Sequence, residues 1–97
     1  MPLSINEKDG KRVVKINGAI TVYDAMGLHR GLLNYLETND KLVLDLAAVK
    51  ECDAEDVQLI SSAIRSAKAA GKTFVIENAS ESVKAAARRA GVAIDAL

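Results

Sequence analysis

Lys41-Leu42-Val43-Leu44-Asp45-Leu46-Ala47-Ala48-Val49-Lys50-Glu51-Cys52-Asp53-Ala54-Glu55-Asp56-Val57 is the stretch whose reading decides the fold. Lys41 to Leu46 is apolar apart from residues near its ends, as expected of a central strand covered on both faces. A long amphipathic stretch begins at Val57, and the spacing predicts a helix from about Ala54 to Ala70, stopped by Gly71. A buried strand that feeds a helix places the intervening loop on the rim of a sheet, where α/β proteins put working residues. That loop and helix start carry Glu51, Asp53, Glu55 and Asp56, four carboxylates in six residues.

The elements on either side repeat the alternation. Upstream, Asp9-Gly10 sits between two β-prone runs, Ser4 to Glu7 and Arg12 to Asn17, and signals a hairpin. Val14 and Ile16 alternate with Val13, Lys15 and Asn17, so one face of the second strand is expected to be buried. Gly18 breaks the strand, and Asp24 suits the N-cap of a helix running from Ala25 to about Glu37. Ala25, Leu28, Leu32 and Leu36 recur there at helical spacing, with Leu33 and Tyr35 on the flanks. Gly27 and Gly31 weaken that helix by roughly 1 kcal/mol each relative to alanine. Asn39-Asp40 marks a turn into the central strand. Downstream, Thr73 to Ile76 reads as another buried strand. Ser80 then caps a helix from Glu81 to about Ala90, Gly91 ends it, and Val92-Ala93-Ile94 is long enough only for a short edge strand. The resulting order, β-β-α-β-α-β-α-β, predicts an α/β fold: a mixed central sheet with parallel βαβ pairs and helices packed against it.

Bulk composition bounds the function. Ninety-seven residues suffice for one domain with a single core, spanning 1–97. Thirteen acidic and thirteen basic residues cancel, so no overall field draws the chain to nucleic acid or an anionic membrane. No apolar run approaches the ~20 residues of a membrane span, and Met1-Pro2-Leu3-Ser4 lacks signal-peptide features. One cysteine forms no internal disulfide. A cytoplasmic location without membrane insertion is the expectation.

Helix capping explains part of the acidic cluster. Asp53 suits the N-cap, and Asp56 three residues later can reach back to it. The helix dipole favours Glu55 in the first turn by ~0.3–1 kcal/mol. At 100° per residue, Glu55, Gln58 and Ser62 fall on one outward stripe, bordered by Leu59 and Ser66. Val57, Ile60, Ala63, Ile64 and Ala67 face the core. Glu55 therefore points outward beside a partly exposed leucine. The cluster lacks the glycine-punctuated spacing of a calcium loop, so no metal and no cofactor is expected.

The segment from Asp45 to Val57 resembles the signature of STAS domains, the family of anti-sigma-factor antagonists. In that family a strand ending Leu-Asp-Leu leads to Asp-Ser-Ser/Thr-Gly-Leu at the helix start. Asp45 and Asp53 keep the frame here, and Val57 stands at the leucine position. Ala54 and Glu55 replace the two hydroxyl residues, and Asp56 replaces the glycine. The element order agrees over nearly the whole chain. In STAS regulators of sigma factors, the second hydroxyl is phosphorylated by a partner kinase, and by resemblance that position is Glu55. Phosphate would bring about −1.5 to −2 charges to a helix start; glutamate brings about −1 that no phosphatase removes. Between Tyr23 and Ser61 the only hydroxyl side chains are Tyr35 and Thr38, so the covalent switch is expected to be absent.

The resemblance implies a non-catalytic binding module of bacterial signalling. Its partner-binding residues would be Asp53, Ala54, Glu55, Asp56, Gln58, Leu59 and Ser62, and its partner a kinase-like anti-sigma factor or another signalling protein. A second branch of the family, the STAS subunit of lipid-trafficking ABC transporters, implies a transporter ATPase subunit instead. A third implication is nucleotide binding, although Gly27-Leu28-His29-Arg30-Gly31 is no phosphate loop. A homodimer stays open. No catalytic residue is expected: His29, the only histidine, reads as a packed or half-buried ring, and Cys52 as a small buried hydrophobe. Lys84, Arg88 and Arg89 read as a solvated basic stripe on the last helix.

Overall fold

The structure, a computed structural model, describes residues 3–8 and 11–92. In chain order its elements are β1 (Leu3–Lys8), β2 (Lys11–Ile16), β3 (Gly18–Ala19), α1 (Val22–Thr38), β4 (Lys41–Asp45), β5 (Val49–Glu51), α2 (Ala54–Ala69), β6 (Thr73–Glu77) and α3 (Glu81–Ala90). The main sheet has the order β1-β2-β4-β6. β1 and β2 are antiparallel from Leu3 opposite Ile16 to Lys8 opposite Lys11, the register of a two-residue connection. The Asp9-Gly10 turn itself lies outside the described residues. β4 pairs in parallel with both β2 and β6, with Val14, Leu44 and Ile76 in one row across the sheet. Parallel neighbours require helical crossovers, and α1 and α2 supply them.

The predicted mixed α/β fold is the one observed. Leu42, Val43, Leu44 and Leu46 are all buried, as a central strand requires. α2 lies between α1 and α3 and touches both. The three helices close one core over Val14, Ile16, Leu42, Leu44 and Phe74. From α2 the core takes Val57, Ile60, Ala63, Ile64 and Ala67, the five positions assigned inward from the helical wheel. Burying a side chain the size of Val57, Ile60 or Ile64 contributes ~1.5–3 kcal/mol. This single shared core orients the α2 start at the rim.

Several expectations need correction. The N-cap of α1 is Thr21, three residues before Asp24. Thr21 Oγ1 accepts from Asp24 N–H at 3.2 Å, and Asp24 Oδ2 accepts from Thr21 N–H at 3.0 Å, forming a complete capping box. Asp24 is thus the third helical residue, and the helix starts earlier because Thr21 offers the same oxygen. Two short strands, β3 and β5, pair in parallel where a break and a loop were expected. β6 is less buried than its composition suggests: Phe74 is buried, but Val75 is 37% exposed and Ile76 half-buried. It is the end strand of the described sheet, with no neighbour along its outer edge among the described residues. Beyond Val92, the expected edge strand lies outside the described residues.

Gly27 and Gly31 lie on the solvent face of α1, beside Met26, which is 70% exposed. A Cβ built on either glycine meets nothing within 4 Å. Neither therefore serves a close contact among the described residues. Gly27→Ala and Gly31→Ala should each raise stability by up to about 1 kcal/mol through helix propensity and a less flexible unfolded chain. Urea unfolding checks this; a less stable variant would contradict the open surroundings of that position.

Candidate functional site

The segment from Leu46 to Asp53 must leave a buried strand, cross the rim and start a helix without stranding its backbone groups. Asp45 begins the turn, its Oδ1 accepting from Ala47 N–H at 2.9 Å. Leu46 N–H donates to the Glu77 carbonyl, and the Leu46 carbonyl accepts from the N–H groups of Val49 and Ser80. β3 and the residue after it then hold one side of the segment: Gly18 N–H donates to the Ala48 carbonyl and Ile20 N–H to the Glu51 carbonyl. The β3–β5 register slips, with Gly18 opposite Val49 and Ala19 opposite Glu51, so Lys50 has no opposite number. Its carbonyl accepts instead from Ser82 Oγ at 2.6 Å. Two residues on, the Cys52 carbonyl accepts from Arg89 Nη2 at 3.2 Å. Both donors come from α3.

Asp53 is the N-cap of α2, with Asp56 as its third helical residue. The well-formed arm of their capping box is the backward one, Asp53 N–H donating to Asp56 Oδ2 at 2.8 Å. The Asp53 carbonyl accepts from the N–H groups of Asp56 and Val57. Asp56 is only 2% exposed, so among the seven expected contact residues it is the one turned inward. Asp53, Glu55 and Gln58 are exposed, while Ala54, Leu59 and Ser62 are half-buried. Leu59 thus stands at the border of the buried arc, with Glu55 and Gln58 on its open side. Gln58 also lines a shallow cleft of about 310 Å³ with Ser61, Arg65, Ala90 and Val92, where Arg65 Nη1 donates to Ser61 Oγ at 2.9 Å.

Burial pushes the Asp56 carboxyl above the ordinary carboxylate range, against the Asp53 N–H that favours its charged form. The charges of Asp53, Glu55 and Asp24 act in the same direction as burial. Asp24 belongs to the α1 start, so two acidic helix starts share this rim. Cys52 is buried, and its thiol is pushed up to about 11 by burial first, then by Asp56 and Asp53, with Arg89 opposing. A thiol held protonated in this way is no nucleophile. His29 is half-buried with Nε2 unpaired, on a different helix. Among the described residues, no three or more His, Cys, Asp or Glu side chains gather as a metal site. No described helix is long and apolar enough to cross a membrane.

Two residues here escape sequence reading: Ser82 and Arg89. They are seven residues apart on α3, hence on one stripe, and that spacing is the signal that could have grouped them. Their partners are backbone carbonyls, which no side-chain pattern announces. Arg89 stays exposed on the expected basic stripe and reaches the Cys52 carbonyl from there. Lys84 pairs with Glu81 at 3.5 Å, and Arg88 is exposed.

The raised Asp56 value fixes the sign of a pH dependence. Its folded form prefers the proton, so its contribution to stability is present below the ordinary carboxylate value and is lost as pH rises through the folded value. Asp56→Asn keeps an acceptor oxygen without the charge, and its stability relative to wild type should be higher at pH 7 than at about pH 3. Asp56→Ala removes the acceptor and should cost ~0.5–2 kcal/mol. Urea unfolding at the two pH values checks both; an Asn variant favoured towards acid would reverse the assignment.

The fold has counterparts among known proteins. The structure of the anti-sigma factor antagonist SpoIIAA in its unphosphorylated form matches with a TM-score of 0.74 at 12% identity, over 94% of this chain and 82% of that one. A serine-to-glutamate variant of Moorella thermoacetica RsbS matches with a TM-score of 0.74 at 20% identity, over 98% and 82%. The crystal structure of Mglu matches with a TM-score of 0.66 at 20% identity, over 80% of this chain and 20% of that one. At these identities the likeness is one of fold. The family model described as Mlab, STAS domain, matches residues 3–97. With that match spanning the hairpin, the central strand and the acidic helix start, the chain belongs to the STAS domain family.

Proposed function

We propose that this chain is a non-catalytic protein–protein interaction module in bacterial signalling or regulation, resembling an anti-sigma-factor antagonist without a phosphorylation switch. The observation that carries this reading is the outward stripe at the α2 start: Asp53, Glu55 and Gln58 exposed around half-buried Leu59, on a segment pinned from two sides. A fixed, mixed polar and apolar edge suits a partner surface, because interfaces concentrate binding energy in a few central residues ringed by near-neutral polar contacts. Leu59 is that centre, with Glu55, Gln58 and Ser62 as the ring. Ala54, Asp53 and buried Asp56 set the path of the backbone beneath it. The cytoplasm is the compartment in which a kinase-like anti-sigma factor or another signalling protein would meet this edge.

The missing hydroxyl also favours a second reading, the STAS subunit of a lipid-trafficking ABC transporter, since that branch tolerates the same loss. There the edge would meet the ATPase subunit from the cytoplasmic side.

Affinity capture from native cytoplasm, comparing wild type with Glu55→Lys, separates the two. A histidine-kinase-like protein recovered by wild type favours signalling; an ATPase subunit favours transport. Titration of the recovered protein should show Glu55→Lys weakening binding on the order of fivefold at low salt, with the difference shrinking as salt rises. Gln58→Ala should matter less, and Lys84→Glu and Arg88→Glu should leave binding intact. Strong loss from the two α3 variants with none from Glu55→Lys would move the site to α3 and end this reading.

The reading also predicts chemical silence. Incubation with ATP and a kinase of the anti-sigma type should leave residues 52–58 unmodified by mass spectrometry. Stoichiometric phosphate on Ser61 or Ser62 would show a switch displaced along α2. Ser61 is the less accessible of the two, being buried against Arg65.

A further inference from the structure

We propose that Ser82 and Arg89 are positioning residues that hold residues 50–53 in the docking-ready conformation, so that α3 governs the edge from behind. The proposal rests on the docking reading for its functional meaning and on separate geometry for its substance. Between Ala48 and Cys52, β3 and the Ile20 that follows it satisfy the carbonyls of Ala48 and Glu51 through backbone bonds. The carbonyls of Lys50 and Cys52 are left to side chains, and each takes one donor from α3: Ser82 Oγ at 2.6 Å and Arg89 Nη2 at 3.2 Å. The slipped β3–β5 register is what frees the Lys50 carbonyl for Ser82. Three residues of β5 and two of β3 form a ladder too short to fix the segment alone. Arg89 holds the residue immediately before the N-cap, so its bond sets where the Asp53–Asp56 box begins.

This arrangement makes α3 a lever. Its inner face is anchored in the core by Val83, Ala86 and Ala87, while Arg89 is exposed and Ser82 half-buried. The two clamping bonds can therefore be lost without opening the core. Local release of a surface segment at a free energy below global unfolding is how docking loops are commonly drawn from a fold.

Cys52 reports on the clamp directly. It is the only cysteine, it is buried, and the clamped carbonyl is its own. Its alkylation by iodoacetamide in native buffer requires the segment to open. Ser82→Ala and Arg89→Ala should each raise the native-state labelling rate roughly three- to tenfold, the effect of one lost hydrogen bond on a local opening equilibrium. The urea midpoint should change little, and amide exchange should rise at residues 50–56 without rising in β4. Arg89→Lys keeps a donor and should restore most of the protection, and Arg88→Ala should leave the rate unchanged. Labelling that tracks global stability alone, or that is unaffected in both variants, overturns the proposal. Should Arg89→Ala fail to fold, Ser82→Ala carries the same measurement at a surface hydroxyl. No partner protein enters the experiment, so a failed clamp and an unaffected Glu55→Lys titration are distinct outcomes.

Discussion

Parallel pairing of one strand on both its sides is the constraint from which the rest of this structure follows. β4 lies between β2 and β6 and runs with both. Parallel neighbours cannot be joined by a tight turn, so a helix must intervene before and after β4 and lie against the sheet. The buried row of Leu42, Leu44 and Leu46 gives those helices their common core. Every residue leaving β4 must then emerge at the same rim, where the α2 start and the α1 start also lie. The acidic edge is placed there by topology before any side chain is chosen.

Backbone accounting shapes that edge. A segment that crosses a rim exposes carbonyls with no regular ladder to receive them, and an unpaired buried one is costly. Here the solution is divided: β3 takes some by backbone bonds, α3 takes others by side chains, and Asp45 and Asp56 turn their carboxylates onto nearby N–H groups. Asp56 shows the tension in this solution. It is the acceptor that the α2 start uses, yet its burial and three neighbouring carboxylates oppose its charge.

The alternation of elements was legible because it follows from apolar periodicity, which survives without any knowledge of contacts. Val57, Ile60, Ala63, Ile64 and Ala67 fall inward as their spacing requires, and Ser80 and Gly91 bound α3 as their chemistry suggests. The α1 cap was misplaced at Asp24 because Thr21, three residues earlier, has cap chemistry as good, and only the backbone decides between them. β3 and β5 were unreadable at two and three residues, too short to show a period. Val75 looked buried because a valine in an apolar run carries no mark of lying on the end strand of the described sheet. At the site, Asp53 and Asp56 could be read as a cap pair from their spacing alone. The burial of Asp56 could not, because it depends on how the α1 and α2 starts meet. Ser82 and Arg89 were invisible for another reason: their partners are main-chain oxygens more than thirty residues away.

The helix start at residues 53–58 carries carboxylates and no hydroxyl. A phosphoester stores an event: it outlasts the kinase that made it, and a protein bearing one carries a record of past exposure. On the proposed reading, in which no serine further along α2 takes over the switch, a helix start without a hydroxyl presents the same charge before and after any encounter. Whatever meets it responds only to the concentrations of the moment, by mass action. On that reading the surface is an equilibrium device without memory.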